Sequence, residues 1–176
     1  VNAGRLALPD GSPDPRFTLV PSDFRWIRNH LRYLEALPID GLLADLGVSS
    51  HQFDTAGRGF SFRADGPLDM RMDRSAATDA VTLVNTLDEQ ALGTLIARYG
   101  EVKGAFRVAR TIVQARRSGP IDGTHRLVEV LRPVTPRGDA NSFLAQVFQA
   151  LRIAVNDELG ALERLLTDST DLISAG

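Results

Sequence analysis

The 176 residues contain no cysteine, which removes disulfides, thiolate nucleophiles and cysteine–zinc sites from consideration. That composition suits a reducing compartment, and a cytoplasmic location is expected. The three histidines, His30, His51 and His125, show no metal-ligand spacing, so no structural metal is expected. No apolar run approaches the roughly 20 residues a membrane helix needs, so no membrane partner is expected, and no secretory signal peptide either. Neither a Gly-x-Ser-x-Gly elbow nor any other nucleophile–base pair frames the serines, which argues against a hydrolase. Internal repeats and low-complexity tracts are also lacking. Lysine is almost absent: Lys103 stands alone among arginines. The chain opens on Val1 rather than Met and closes on Ile173-Ser174-Ala175-Gly176, so a fragment of a longer protein is expected.

What is present is ordinary in bulk, with 43% hydrophobic and 24% charged residues, and suits one domain or one domain carrying an insertion. The charge is uneven. Residues 1–100 hold 10 Lys/Arg against 13 Asp/Glu, residues 101–140 hold 8 against 4, and residues 141–176 hold 2 against 5. A segment of net charge +4 is therefore set between two of −3.

The stretch Ile39-Asp40-Gly41-Leu42-Leu43-Ala44-Asp45 reads as a buried strand that ends in a carboxylate and breaks into the Gly47-Val48-Ser49-Ser50 loop. Ligands of open α/β sheets bind outside such strand ends, which makes Asp45 the first candidate; a turn-forming role is its bland alternative. Residues 1–15 read as loop. Arg16–Val20 is a short β-prone run stopped by Pro21, and Ser22 or Asp23 then caps a helix carrying Phe24, Ile27, Leu31 and Leu34. The order β-α-β favours a parallel pair.

Residues 53–75 form a glycine-punctuated loop that nevertheless carries Phe60, Phe62, Leu68, Met70 and Met72, too many anchors for a floppy linker. Helices follow: one opened by a Thr86–Glu89 capping box, one over about 102–117 with Phe106, Ala109, Ile112 and Val113 inward, one capped by Thr124, and a long one from Asn141 to about Leu166. Lys103, Arg107 and Arg110 share one helix face, either simply solvated or set for a nucleic-acid backbone. Arg58, Phe60 and Phe62 offer a cation and aromatic platforms for an unstacked base, although phenylalanines in a loop are as readily core plugs. Gln149, Arg152 and Asn156 form a polar stripe that suits either solvent or the wall of a polar site.

Four longer words sharpen this reading. Asp45-Leu46-Gly47-Val48-Ser49-Ser50, Arg58-Gly59-Phe60-Ser61-Phe62-Arg63, Asp65 through Asp73 (including Arg71), and Phe148 through Leu159 stand in the order found in the bacterial small-subunit rRNA cytosine-N4 methyltransferases, the RsmH/MraW family, which the chain resembles from about residue 16 onward. The resemblance implies an α/β fold: a partial Rossmann-like class I methyltransferase domain over 1–77 and 141–176, with an inserted all-helical domain over 78–140. It implies S-adenosyl-L-methionine as cofactor, 16S rRNA in the small ribosomal subunit as partner, and methylation of a cytidine N4 amine at the decoding centre. Carried over by motif, Phe24, Asp45 and Gln52 contact the cofactor. Ser49, Ser50, Arg58, Phe60, Phe62, Arg71, Gln149, Arg152 and Asn156 line or border the cytidine cleft. The family's glycine-rich cofactor loop, the acidic residue after it and the closing Ser-Phe-His-Ser strand have no counterpart in these 176 residues, again as expected of a fragment. Two other readings compete: a non-catalytic RNA-binding helical module driven by the +4 segment, and a protein-interaction piece.

Overall fold

In a computed structural model of the chain, residues 14–174 are described; the loop reading of residues 1–13 lies outside them. Among the described residues the secondary structure is helical. The helices are α1 (Ile27–Tyr33), α2 (Ser50–Asp54), α3 (Ala80–Thr86), α4 (Glu89–Gly100), α5 (Ala105–Ala115), α6 (Thr124–Leu131), α7 (Ala140–Asn156) and α8 (Glu158–Leu172), with short 3-10 turns between some of them. The described residues divide into two compact units, one made of residues 14–43 and 161–174 and the other of residues 44–160. The helices of 78–140 therefore share a unit with the loop before them and with α7.

The two expected strands are not formed. Backbone pairing outside helices is confined to isolated bridges, Ile39 parallel with Ile173 and Pro67 antiparallel with Gly123. Ile39 N–H donates to Leu172 O at 2.9 Å and Ser174 N–H to Ile39 O at 3.1 Å. Past that point residues 41–46 are irregular, with Leu43 96% exposed. A parallel strand requires a neighbouring strand to complete its ladder and cover on both faces; an apolar run without them stays coil. Arg16–Val20 is irregular for the same reason.

In the first unit, Asp23 caps the turn Phe24–Trp26 as expected, accepting from the Arg25 N–H. α1 is pinned to α8 by Arg28, whose Nε donates to the buried Asp168 at 3.0 Å and whose Nη2 donates to Asp171 at 2.6 Å. Arg164 reaches the other Asp168 oxygen at 3.1 Å.

The second unit holds the main core, in which α4 packs on α5 and α7. Gly100 permits the α4–α7 approach, since a Cβ there would stand 2.5 Å from the Gln146 carbonyl oxygen. The caps differ from the sequence reading in detail. Thr86 closes α3, its hydroxyl donating to Thr82 O, and Asp88 rather than Thr86 caps α4 by accepting from Ala91 N–H. Gly123, not Thr124, precedes α6. The buried Thr124 hydroxyl donates to Ala64 O at 2.8 Å and accepts from Gly66 N–H at 3.1 Å. Phe106, expected inward, is 44% exposed; its ring lies against Gly93, where a Cβ would stand 2.4 Å from it. The expected long helix is two: Asp157, at φ 47°, ends α7 in a left-handed turn before α8 begins.

Candidate functional site

The loop from Thr55 to Asp79 is ordered by its own backbone before any side chain acts. Gly59 has φ 71°, and a Cβ there would collide with Pro67 O and stand 2.7 Å from Asp69 N. That turn sends Phe60 inward to 4% exposure, while the Arg58 guanidinium lies 5.7 Å from the centre of its ring. Phe60 is thus a core plug, and its expected role as a stacking platform is corrected: the glycine turn directs the ring into the core. Phe62 is half-buried and meets Phe148 of α7 edge-on, with ring centres 5.6 Å apart.

The arginines of the loop serve its own course. Arg58 Nη2 donates to the carbonyls of Arg71 (2.6 Å) and Met72 (3.2 Å). Arg71 forms a two-pronged pair with Asp69 at 2.7 and 3.1 Å and donates to Ala76 O at 2.8 Å. That guanidinium holds the Asp69 carboxyl below its ordinary value, chiefly through the side-chain hydrogen bonds. A depressed folded-state value means that the ionised form favours folding. The contribution is complete above the unfolded value of about 3.9 and disappears as pH falls through the folded one. Asp69→Asn is expected to lower stability at pH 7 and to flatten the acid loss of stability below about pH 4. Urea titrations at pH 7 and pH 3 test this, and equal losses at both would refute it.

α7 supplies the other half of the clamp. Phe148, Arg152 and Asn156 are spaced i, i+4, i+8 and so share one face. Asn156 Oδ1 accepts from Met72 N–H at 2.7 Å, while its Nδ2 donates to Met70 O and Arg152 O, each at 2.8 Å. Met70 itself is buried with φ 61°, a conformation that costs a non-glycine residue on the order of 1–2 kcal/mol. The bonds from Asn156 and from Met70 N–H to Arg58 O (2.9 Å) hold it there. Arg152 is turned to Glu158 in a two-pronged pair at 2.8 and 3.2 Å.

The structure therefore brings together Arg58, Phe60, Phe62, Arg71 and Asn156, with Arg152 adjoining. Other sequence candidates lie elsewhere. Gln149 is exposed and donates to Tyr99 O at 3.2 Å. Ser49 and Gln52 form a capping box on α2, Ser49 N–H donating to Gln52 Oε1 at 3.0 Å and Gln52 N–H to Ser49 Oγ at 3.3 Å. Ser50 is the exposed first residue of that helix. Asp45 is exposed in irregular backbone, without an ion pair or hydrogen bond among the described residues, because residues 41–46 have no sheet to deliver it to an edge. Phe24 belongs to the first unit and is 38% exposed. Of the basic face, Arg110 is paired with Glu89 at 2.9 Å, whereas Lys103 and Arg107 line a cavity with Pro133–Pro136. The sequence reading passed over Asp69 and Thr124 as site builders; the signal was present in the Asp-x-Arg spacing and in a threonine beside Gly123.

No helix among the described residues is long and apolar enough to cross a membrane, and none of their acidic and histidine side chains cluster in a way that could hold a metal ion. The family model described as the MraW methylase family matches residues 10–176. The protein named ribosomal RNA small subunit methyltransferase H from Cytophaga hutchinsonii is 48% identical over 162 residues, which cover 92% of this chain and 54% of that protein. Its namesake from Amoebophilus asiaticus is 50% identical over 163 residues, 93% of this chain and 53% of the other. That of Flavobacterium johnsoniae is 46% identical over 170 residues, 97% and 56% respectively. The chain thus spans about half the length of the curated relatives it matches. With a family model matched from residue 10 to residue 176, across both the pinned loop and α7, the chain belongs to the MraW methylase family.

Proposed function

We propose that this chain is part of a cytoplasmic S-adenosyl-L-methionine-dependent methyltransferase that modifies the N4 amine of a cytidine in 16S rRNA at the decoding centre. Residues 1–77 and 141–176 would contribute to its Rossmann-like domain and residues 78–140 would be its helical insertion. The observation that carries the reading is the family match over residues 10–176, which takes in both the loop and the helix that pins it. The relatives' printed name supports small-subunit rRNA as the substrate.

Methyl transfer to an amine is an in-line displacement at a sulfonium carbon, so the protein's task is positioning. S-adenosyl-L-methionine, when bound, supplies the methyl group. The residues assigned to it fit its chemistry: Asp45 has an unengaged carboxylate for an amine or hydroxyl, and Phe24 an accessible ring. Gln52 retains its Nε2 donor while Oε1 is committed to Ser49. The cytosine N4 lone pair is delocalised into the ring. Acceptors that hold the amino hydrogens, the Ser50 hydroxyl and the Asp45 carboxylate among them, would turn that lone pair toward the methyl carbon. The sulfonium leaves as a neutral thioether, and if the amine gives up its proton to water only after transfer, when its positive charge has made it acidic, no strong base is required. The target base must be unstacked, and Phe62 keeps accessible ring surface beside the fixed loop. Arg58 and Arg71, spent on backbone carbonyls and Asp69, shape the loop rather than grip RNA.

The test is methyl transfer from labelled S-adenosyl-L-methionine to small ribosomal subunits lacking the modification, by a protein of the relatives' length that contains this chain. N4-methylcytidine at the decoding centre is expected on nucleoside mass spectrometry. Methylation of another atom, or none, would overturn the reading. Asp45→Ala is expected to weaken cofactor binding roughly ten- to hundredfold, the worth of one hydrogen bond to a charged group (about 1.5–3 kcal/mol). Calorimetry reads this directly. RNA binding indifferent to the cofactor would favour the non-catalytic module.

A further inference from the structure

The basic segment 101–140 spends several of its charges internally. Arg110 pairs with Glu89, Arg126 lies 3.4 Å from Glu129, and Arg116 donates to Val84 O. Lys103 and Arg107 do not: both are exposed, and their side chains have no ion pair or hydrogen bond among the described residues. They line a cavity of about 320 Å³ together with Gly104, Val108 and the turn Pro133-Val134-Thr135-Pro136. Among the described residues no carboxylate lines it, and the buried Val108 forms apolar floor. Two unpaired cations four residues apart on one helix face, walled by two rigid proline rings, make a recess that disfavours a cation and a purely apolar ligand alike. Its volume equals about ten waters at roughly 30 Å³ each, more than a bare phosphate fills and enough for a phosphate with its attached sugar. Arg132 and Arg137, exposed and without ion pairs among the described residues, flank the turn on either side.

We propose that this recess is a phosphodiester subsite, in which Lys103 and Arg107 grip one or two backbone phosphates of single-stranded RNA while the Pro133–Pro136 turn supports the adjoining sugar. The proposal rests on the RNA-directed reading above and adds to it a place where RNA is held away from the loop that faces the target base. It also divides the basic helix: Arg110, neutralised by Glu89, lies outside the subsite.

The test is fluorescence anisotropy of the 176-residue chain with a labelled single-stranded RNA oligonucleotide, between 50 and 200 mM salt. For single strands, log K falls with log salt by about 0.7 for each phosphate neutralised. The double variant Lys103→Ala/Arg107→Ala is expected to make that slope shallower by about 1.4. Lys103→Arg with Arg107→Lys should restore it, and Arg117→Ala, an exposed charge outside the recess, should change it by less than half of one contact. Circular dichroism should be the same for all variants, because both substituted side chains are exposed. An unchanged slope in the double variant overturns the subsite while leaving the RNA-directed reading standing. A loss with Arg117→Ala as large as that from either recess cation also overturns it, because the attraction is then diffuse. Displacement of RNA by inorganic phosphate at matched ionic strength would assign a free-anion site instead, and displacement by polyglutamate an acidic polypeptide; either overturns it. If the wild-type chain binds no RNA, the subsite fails, while the RNA-directed reading stands or falls on the methyl-transfer test with the longer protein.

Discussion

Gly59→Ala is expected to destabilise the unit of residues 44–160 by about 2–5 kcal/mol. Two costs combine. An alanine at φ 71° costs on the order of 1–2 kcal/mol, and its Cβ would press on backbone atoms of Pro67 and Asp69, which have no flexible side-chain end to swing aside. Overpacking of that kind costs typically about 1–3 kcal/mol. Relief by backbone movement is no cheaper, because the turn holds Phe60 in the core, and drawing a phenylalanine out forfeits roughly 3–5 kcal/mol. Gly57→Ala is the control, since a Cβ there meets nothing within 4 Å. Urea unfolding followed by circular dichroism reads both. A Gly59→Ala midpoint indistinguishable from that of Gly57→Ala would mean that the loop does not follow the course described.

Asn156→Ala is expected to cost about 2–4 kcal/mol. It removes three hydrogen bonds at once and leaves Met72 N–H and Met70 O, both in partly or fully buried residues, without partners; each orphaned group costs about 1–3 kcal/mol. It also releases Met70 from the pull that offsets its left-handed backbone. Asn156→Asp is informative because it keeps an acceptor for Met72 N–H but turns a charged oxygen toward the Met70 and Arg152 carbonyls, so it should be no better than alanine. Hydrogen exchange at the Met72 amide separates a local from a global effect: in both variants this amide should exchange faster than those at the centre of α7. Continued protection at Met72 would show that the asparagine is not what holds the loop.

Much of this was legible in the sequence, for reasons that can be stated residue by residue. The helices were, because their information is local: apolar spacing in α4, α5 and α7, and a short polar residue such as Asp88 beside the start of α4. Their ends were less so, since Thr86, Asp88 and Thr124 all have capping chemistry and only packing chose among them. The two expected strands are not formed here because β structure needs a partner elsewhere in the chain, and of their residues Ile39 alone found one. The site shows the same division. That residues 58–73 would be ordered followed from their apolar anchors. That Arg58 and Arg71 would be spent on the loop itself did not, since an arginine's sequence neighbours do not reveal which carbonyls will surround it. The reverse held for Lys103 and Arg107, left unengaged on a face where Arg110 found Glu89.

Between the Gly59 turn and the Leu68–Met72 clamp, Arg63 and Ala64 stand exposed on a segment fastened at both ends. What the loop displays and the path it follows are therefore set by different residues. Evolution or an engineer could rewrite the display at these two positions and inherit the scaffold unaltered, so divergence in recognition among related chains has a place to accumulate without being filtered by foldability.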